Sequence, residues 1–165
     1  MTVSPFQTSA NGSNAVSKGV EAYAQHTFRS GFGFQANFTY NKTSTTDIAL
    51  DGKVIGRSPL VGSAKTQANV SVFYENDRFL ARASYNRRGT MVGGIVSGLN
   101  IYSEPYDQVD LNASYDLMKN LTVTGSVLNL TKSEQRQHLG DDTKARFYDN
   151  TYAGRVLYLG LTYKF

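Results

Sequence analysis

The residue types that hold metals are present in this chain, but not at the spacing that a metal site needs. His26 and His138 lie far apart, and neither has acidic or cysteine residues at ligand spacing, whereas structural sites use three or four such ligands. Asp141 and Asp142 follow Gly140 without the regularly spaced oxygen donors of a calcium loop. We therefore expect no metal site and interpret the two aspartates as solvated loop charge.

Arrangements for phosphate binding and for catalysis are not evident either. The stretch that contains Gly93, Gly94 and Gly98 has no lysine and no following helix, so it does not match a phosphate-binding loop. No Ser/His/Asp set and no pair of carboxylates suggests catalysis. The sequence predicts neither an enzyme nor a cofactor-binding protein.

Charged and amide side chains gather instead on the polar face of amphipathic strands. The five candidates on this face are Glu21, Arg82, Asn86, Arg88 and Asp110. One interpretation is that they solvate a wet lumen or pair across strands. The other is that they contact a ligand or another part of the protein, because charged rings tune selectivity in lumens. The long loops offer four further candidates for ligand contact: Tyr102, Arg136, His138 and Arg146.

The elements that would carry these side chains are β-strands, whose residues alternate between two faces with a period of two. The clearest strand runs from Phe32 to Thr43, where apolar residues alternate with Gly, Gln, Asn and Thr. Seven strands are predicted, at residues 15–28, 32–43, 64–74, 79–88, 106–117, 121–128 and 154–165. The alternation breaks at Val127–Leu128, which indicates a bulge or a strand end. An all-β, antiparallel up-and-down fold is the expectation.

The connections between these strands alternate between short and long. Short turns are predicted at residues 29–31, 75–78 and 118–120, and long loops at 44–63, 89–105 and 131–153, with residues 1–14 also loop. Bacterial outer-membrane barrels join strands by short periplasmic turns and longer extracellular loops. In such a barrel the apolar face meets lipid. The residues expected to face outward are Phe34, Phe38, Val70, Leu111 and Leu159, and those expected to face inward are Gln35, Asn37, Asn69 and Asn112.

Composition agrees with this interpretation and excludes several classes. The 165 residues include no cysteine, so disulfides and thiolate metal sites are excluded. The net charge of +4 comes from scattered basic residues, so no nucleic-acid patch is expected. The absence of a long apolar run excludes a transmembrane helix but not a membrane barrel, whose hydropathy signal is weaker.

The last strand places Leu157, Leu159, Leu161, Tyr163 and Phe165 on one face, and the chain ends on an aromatic ring. This strand resembles the C-terminal strand of bacterial outer-membrane β-barrels. In those proteins the terminal aromatic, with apolar residues at alternate positions before it, is what the barrel-assembly machinery reads. The resemblance implies that Leu161, Tyr163 and Phe165 form an assembly signal.

Five stretches together resemble a known family. They are G-V-E-A-Y-A-Q from Gly19, S-Y-N-R-R from Ser84, Y-D-Q-V-D-L-N-A-S-Y-D-L from Tyr106, N-L-T-V-T-G-S-V-L-N-L-T from Asn120 and Y-A-G-R-V-L-Y-L-G-L-T-Y-K-F from Tyr152. In this order they resemble the C-terminal barrel strands of TonB-dependent receptors. Asn-Leu near the end of the penultimate strand and Gly-Arg at the opening of the last strand are the more distinctive parts. The resemblance extends from about Gly19 onward.

The resemblance implies a barrel of about 22 strands that contains an N-terminal plug and follows a TonB-binding segment. Such receptors lie in the outer membrane of Gram-negative bacteria and import scarce, bulky nutrients such as iron-siderophores, cobalamin or oligosaccharides. The TonB complex of the inner membrane supplies the energy. The polar-face candidates would then contact the plug or the ligand. The implied partners are outer-membrane lipid, the plug and remaining strands, the TonB complex and the barrel-assembly machinery.

This chain lacks the signal peptide, the TonB-binding segment, the plug and part of the barrel that the resemblance implies. We therefore expect a fragment: residues 15–165 as barrel strands and loops, forming a partial barrel open at both edges that cannot transport by itself. One alternative is a complete eight-stranded barrel with a structural or adhesive role. It needs an eighth strand within residues 1–14, where Pro5 argues against one. The other alternative is a soluble β-sandwich that binds a ligand.

Overall fold

The computed structural model describes residues 13–48, 53–140 and 146–165. In these residues the chain is all β, with two antiparallel sheets. The strands are β1 (Ser13–Thr27), β2 (Phe32–Ile48), β3 (Val54–Ser58), β4 (Thr66–Glu75), β5 (Phe79–Arg88), β6 (Met91–Val96), β7 (Leu99–Ser103), β8 (Tyr106–Met118), β9 (Leu121–Leu128), β10 (Gln135–Leu139), β11 (Arg146–Thr151) and β12 (Val156–Tyr163). The prediction of an all-β, antiparallel fold is confirmed.

The larger sheet contains the seven strands that the alternation predicts. Their order is β1-β2-β4-β5-β8-β9-β12, with β3 paired to β2 outside that path. Tight turns join neighbours: the N–H of Phe28 donates to the carbonyl of Phe32 (2.8 Å), and that of Asn76 to the carbonyl of Phe79 (2.9 Å). β1 and β12 are the two edges of this path. The sheet is therefore an up-and-down barrel wall that is open at both edges, as predicted, and the break at Val127–Leu128 is the end of β9.

The apolar face of the larger sheet is its exposed face. Phe38 is 46%, Leu111 37% and Leu159 91% exposed. On the opposite, polar face Ser71 and Phe73 are buried. The Phe73 ring lies flat on that face because its cross-strand partner Gly33 has no side chain, and a Cβ there would overlap the ring.

Little apolar side-chain surface is enclosed by this fold. Ala64, Phe73 and Val92 are the buried apolar residues within the described ranges. The accessible surface is 12402 Å², whereas a compact monomer of this mass has about 8,100 Å². A soluble β-sandwich would instead pack its apolar faces against each other. No helix in the described part of the chain is long and apolar enough to span a membrane.

The prediction of plain loops between the wall strands is wrong in all three long connections. β2 continues to Ile48 and pairs with β3. The other two connections form hairpins that pair with each other as a second sheet, in the order β11-β10-β7-β6. β10 and β7 meet through pairs such as Gln137 and Ser103, which are 34 residues apart. Local alternation cannot indicate pairing over that separation, because β10 (Q-R-Q-H-L) is polar on both faces.

The two dipeptides that carry the family resemblance contact each other where β9 ends and β12 begins. Asn129 Nδ2 donates to the carbonyl of Gly154 (2.9 Å), and Arg155 Nε donates to the carbonyl of Leu130 (2.7 Å). Asn129 is buried, with a positive φ of 52°, a conformation that asparagine tolerates better than most residues. These bonds fix the start of the last strand.

Of the predicted N-terminal loop, residues 1–12 lie outside the described part of the chain, and Ser13 and Asn14 belong to β1. The assignment of residues 15–165 to one barrel domain stays a prediction.

Candidate functional site

Asp110 is the centre of a hydrogen-bond network on the polar face. Its Oδ1 accepts hydrogen bonds from Gln108 Nε2 (2.6 Å) and from the backbone N–H of Asn129 (2.9 Å). Its Oδ2 accepts one from Asn86 Nδ2 (3.4 Å). Tyr106 Oη donates to Gln108 Oε1 (2.7 Å) and extends the network along β8. The carboxylate is thus largely satisfied by the protein itself.

Amide and hydroxyl pairs continue this network across β4 and β5. Asn69 stands directly opposite Asn86 and donates to its side-chain oxygen. In the next row on the same face, the hydroxyls of Ser71 and Ser84 lie 2.9 Å apart. Of the two interpretations of the polar face, cross-strand pairing therefore applies to Asn86 and Asp110.

Arg82 and Arg88 share this face but have no carboxylate partner in the described residues. The Arg82 guanidinium lies over the Phe73 ring, 5.1 Å from its centre. Arg88 Nη1 lies 3.0 Å from the Met91 sulfur. Both guanidinium groups therefore retain donors for a carboxylate, phosphate or hydroxyl group of a partner.

A cavity of about 220 Å³ lies beside Arg88. Polar side chains from four strands line it: Asn37, Gln67, Asn69, Asn86, Arg88 and Tyr106. Amides and a guanidinium at this density suit a partner that carries hydroxyl, amide or carboxylate groups. Two of the five predicted polar-face residues, Asn86 and Arg88, thus belong to one cavity. Arg82 lies on β5 with them, and Asp110 lies on the neighbouring strand β8.

Glu21 is separate from this group. It lies on β1, is exposed and stands opposite Thr39. By strand alternation it shares the polar face, but β2 and β4 lie between it and the Asp110 network on β5 and β8.

His138 is buried in the second sheet, which consists of the β6–β7 and β10–β11 hairpins (the outer hairpins). Its Nδ1 lies 3.3 Å from Glu104 Oε1, and its ring stacks on Tyr102 with centres 5.5 Å apart. Its Nε2 is buried without a hydrogen-bond partner. Neighbouring Gln137 donates to Ser103 Oγ (3.1 Å). Of the loop candidates, Tyr102 and His138 are thus in contact.

The other two loop candidates are exposed residues of the β10–β11 hairpin. Arg136 forms an ion pair with Glu134 (3.1 Å), which also accepts a hydrogen bond from Asn150 Nδ2 (2.9 Å). The Asn150 bond and then the Arg136 bond lower the pKa of the Glu134 carboxyl. Arg146 is exposed at the start of β11. Arg136 and Arg146 therefore do not join the His138 cluster.

No group of three or more potential metal ligands occurs in the ranges that the structure covers. His26 lies on the apolar face against Phe28 and Phe34, with ring centres 4.5 and 6.5 Å away. Asp141 and Asp142 lie outside the described residues. Gly98, with a φ of 77°, forms the β6–β7 turn.

The predicted assembly residues lie on the exposed face of the edge strand. Leu161, Tyr163 and Phe165 are all exposed, and the last two rings meet edge to face with centres 5.2 Å apart. Their role in assembly stays a prediction.

Sequence reasoning missed Gln108, Glu104 and Asn129 as members of these clusters. Gln108 could have been found, since it precedes Asp110 by two residues and must share its face. Glu104 could not, because its partner His138 is 34 residues away.

Comparison with known proteins gives one match. The family model described as "TonB dependent receptor-like, beta-barrel" matches residues 1–130. No curated protein and no solved structure matches the chain.

Proposed function

Because the chain belongs to the TonB-dependent receptor-like β-barrel family, whose model matches residues 1–130, we propose that its larger sheet forms part of the wall of an outer-membrane receptor for a scarce, bulky nutrient. Proteins of this family are outer-membrane receptors and transporters rather than enzymes. The nutrient classes proposed are iron-siderophores, cobalamin and oligosaccharides. The TonB complex would supply the energy for uptake.

The observation that carries this proposal is the distribution of polarity across the wall, which is the reverse of that expected for a soluble barrel. The apolar face, with Phe38, Leu111 and Leu159, is exposed, while amides and guanidinium groups line a cavity on the other face. A lipid-embedded barrel needs this arrangement, because its outside meets hydrocarbon and its inside meets water.

The open edges of the wall imply further strands in the working receptor. In lipid, each unpaired backbone N–H or C=O group costs several kcal/mol, so open sheet edges are not tolerated there. The free edges of β1 and β12 would therefore pair with the remaining barrel strands. A plug inside the barrel would cover the polar face, and the barrel-assembly machinery would read the terminal strand.

Active uptake is the property to test first. A strain that lacks the full-length receptor would be complemented with it and given a labelled candidate nutrient, with and without a protonophore. We expect surface binding to persist and uptake to stop when the proton gradient collapses. Uptake that continues without the gradient would indicate a passive pore instead.

The polar face would contribute through Arg82 and Arg88, which we assign to contact with the plug or the nutrient. In the full-length receptor, the Arg82→Gln/Arg88→Gln double variant should lower uptake at least several-fold with normal receptor levels in the membrane. Arg78→Gln, in an exposed short turn, is the matched control. Unchanged uptake in the double variant would mean that these two residues only solvate the lumen.

A further inference from the structure

A group of positive charges lies on the outer face of the wall, directly beyond the apolar band. Lys18 on β1 and Lys42 on β2 stand opposite each other in register. The adjacent outward pair is Val20 and Tyr40, two residues closer to the short turns. At a rise of about 3.4 Å per residue, the Lys18–Lys42 pair lies about 7 Å beyond the Val20–Tyr40 pair along the strands. Arg57 of β3, opposite Thr46, faces the same side.

These cations have no anionic partner in the described part of the chain. Lys18, Lys42 and Arg57 are exposed and take part in none of its ion pairs. Like charges directly opposite each other on adjacent strands repel, so the Lys18–Lys42 pair favours an anion between them. Arg87, also on the outer face, differs because Asp107 stands opposite it.

The three cations line one depression of about 470 Å³. Its other lining residues include Val16, Ser44 and Thr46; the hydroxyl groups of the last two can donate to anionic oxygens. Lys65, which immediately precedes β4, has its Nζ 6.0 Å from the centre of the Tyr40 ring, so it extends the positive charge along the boundary of the apolar band.

We propose that this depression binds the phosphate headgroup of an anionic lipid in the leaflet on the side of the outer hairpins. The proposal rests on the proposed function, because it requires that the apolar band lie in a membrane. The acyl chains would run along the exposed side chains of Val20 and Phe38, and the phosphate would neutralise Lys18, Lys42 and Arg57. Tyr40 would lie at the interface between the two, where aromatic residues form the girdle of such barrels.

A lipid fits better than a free anion because the site is continuous with the apolar band. A soluble phosphate would gain only the charged contacts, whereas a lipid also places its acyl chains against the apolar side chains beside the site. An arrangement with cations on one side of an apolar face and none at its centre matches an amphiphile.

The test uses the full-length receptor purified in a non-ionic detergent and lipid binding measured by native mass spectrometry. The probes are a phosphatidic acid, which is anionic, and a phosphatidylcholine, which has no net charge, with identical acyl chains, so that only the headgroup differs. We expect phosphatidic acid to bind at least ten-fold more tightly. The Lys18→Gln/Lys42→Gln/Arg57→Gln variant should lose at least ten-fold in affinity for phosphatidic acid and none for phosphatidylcholine.

The matched control is Arg29→Gln/Arg78→Gln/Lys119→Gln, which removes the same number of charges from exposed positions in the short turns; it should bind phosphatidic acid like the wild type. Equal weakening in both variants, no weakening in the first, or displacement of the lipid by inorganic phosphate at equal concentration would each overturn the proposal. Nutrient uptake by the same variants is measured separately, so that a receptor that binds lipid but does not transport contradicts only the proposed function.

Discussion

Asp110 and the two arginines near it illustrate how charge is used on the polar face. Three donors saturate most of the capacity of the Asp110 carboxylate: Gln108, Asn129 and Asn86. A carboxylate satisfied in this way fixes the strands around it and offers little to a ligand. Arg82 and Arg88 lie on the same face and retain unused donors. Binding at this face is therefore expected to depend on guanidinium groups, with Asp110 holding their strands in place.

Leu111 and Asn112 are adjacent residues that test the assignment of the two faces. Leu111 lies on the exposed apolar face and Asn112 on the polar face. In the full-length receptor, Leu111→Arg should destabilise the folded barrel by about 2–4 kcal/mol, because it places a charge in hydrocarbon. The measurement is the change in unfolding free energy in lipid vesicles.

Asn112→Arg is the control for that prediction and should be tolerated, since the lumen is polar. Equal losses of stability in the two variants would contradict the assignment of the faces.

At the scale of elements, the junction between β9 and β12 depends on Asn129. Its side chain accepts from the N–H of Ser133 (2.8 Å) and donates to the carbonyls of Gly154 (2.9 Å) and Ser133 (3.1 Å). Asn129→Ala should cost about 1–3 kcal/mol because buried backbone groups lose their partners. Faster hydrogen exchange at Leu128 and Val156, which are paired, would report the loosened junction.

Asn129→Gly separates the two contributions of this residue. Glycine keeps the positive φ at no steric cost but has no side chain to bond. We expect it to be nearly as destabilised as the alanine variant. Wild-type protection in Asn129→Gly would mean that backbone conformation, and not the hydrogen bonds, holds the junction.

The hairpin of β10 and β11 should depend on pH through Glu134. Its folded pKa is lowered from the ordinary 4.5 by the bonds from Asn150 and Arg136. The ionised form therefore stabilises the hairpin fully above the ordinary pKa, and this contribution is lost as the pH falls through the lower folded value. The protection of the Asn150 amide against hydrogen exchange, relative to its intrinsic rate at each pH, should fall below that range. Glu134→Gln should remove the pH dependence, and a hairpin equally sensitive in that variant would assign it to another group.

The sequence predicts the wall strands well because each carries its own evidence. Phe32 to Tyr40 alternate strictly and form part of β2, and the phase break at Val127–Leu128 marks the end of β9. The hairpin strands lack such evidence. Their order depends on partners such as Ser103 for Gln137, and none of them shows a strict alternation: β6 (M-V-G-G-I-V) has apolar residues on both faces and β10 (Q-R-Q-H-L) has polar ones on both. Contacts between distant segments, including His138 with Glu104, could therefore be found only in the structure.

At the scale of the whole molecule, β12 is an edge strand of the wall, and the residues at its end are exposed. Phe165 contacts Tyr163 and lies outside the paired part of β12, so it adds little packing. Phe165→Ser in the full-length receptor should reduce the amount assembled in the outer membrane several-fold, while molecules that do fold keep near-normal stability. Heat-modifiable gel mobility of membrane fractions measures assembly.

Lys164→Ser, one residue away, is the control and should assemble almost normally. Wild-type assembly of Phe165→Ser at low expression, or equal failure of the control, would exclude an assembly signal at this terminus.

The β6–β7 hairpin is attached to the wall at a point where the two strands that flank it are already paired with each other. Arg88 and Tyr106 pair directly, so the whole β6–β7 hairpin is inserted between two residues that neighbour each other in the wall. Insertions, deletions or replacements within it leave the wall register unchanged. This hairpin can consequently change in length and sequence without altering the pairing of β5 with β8.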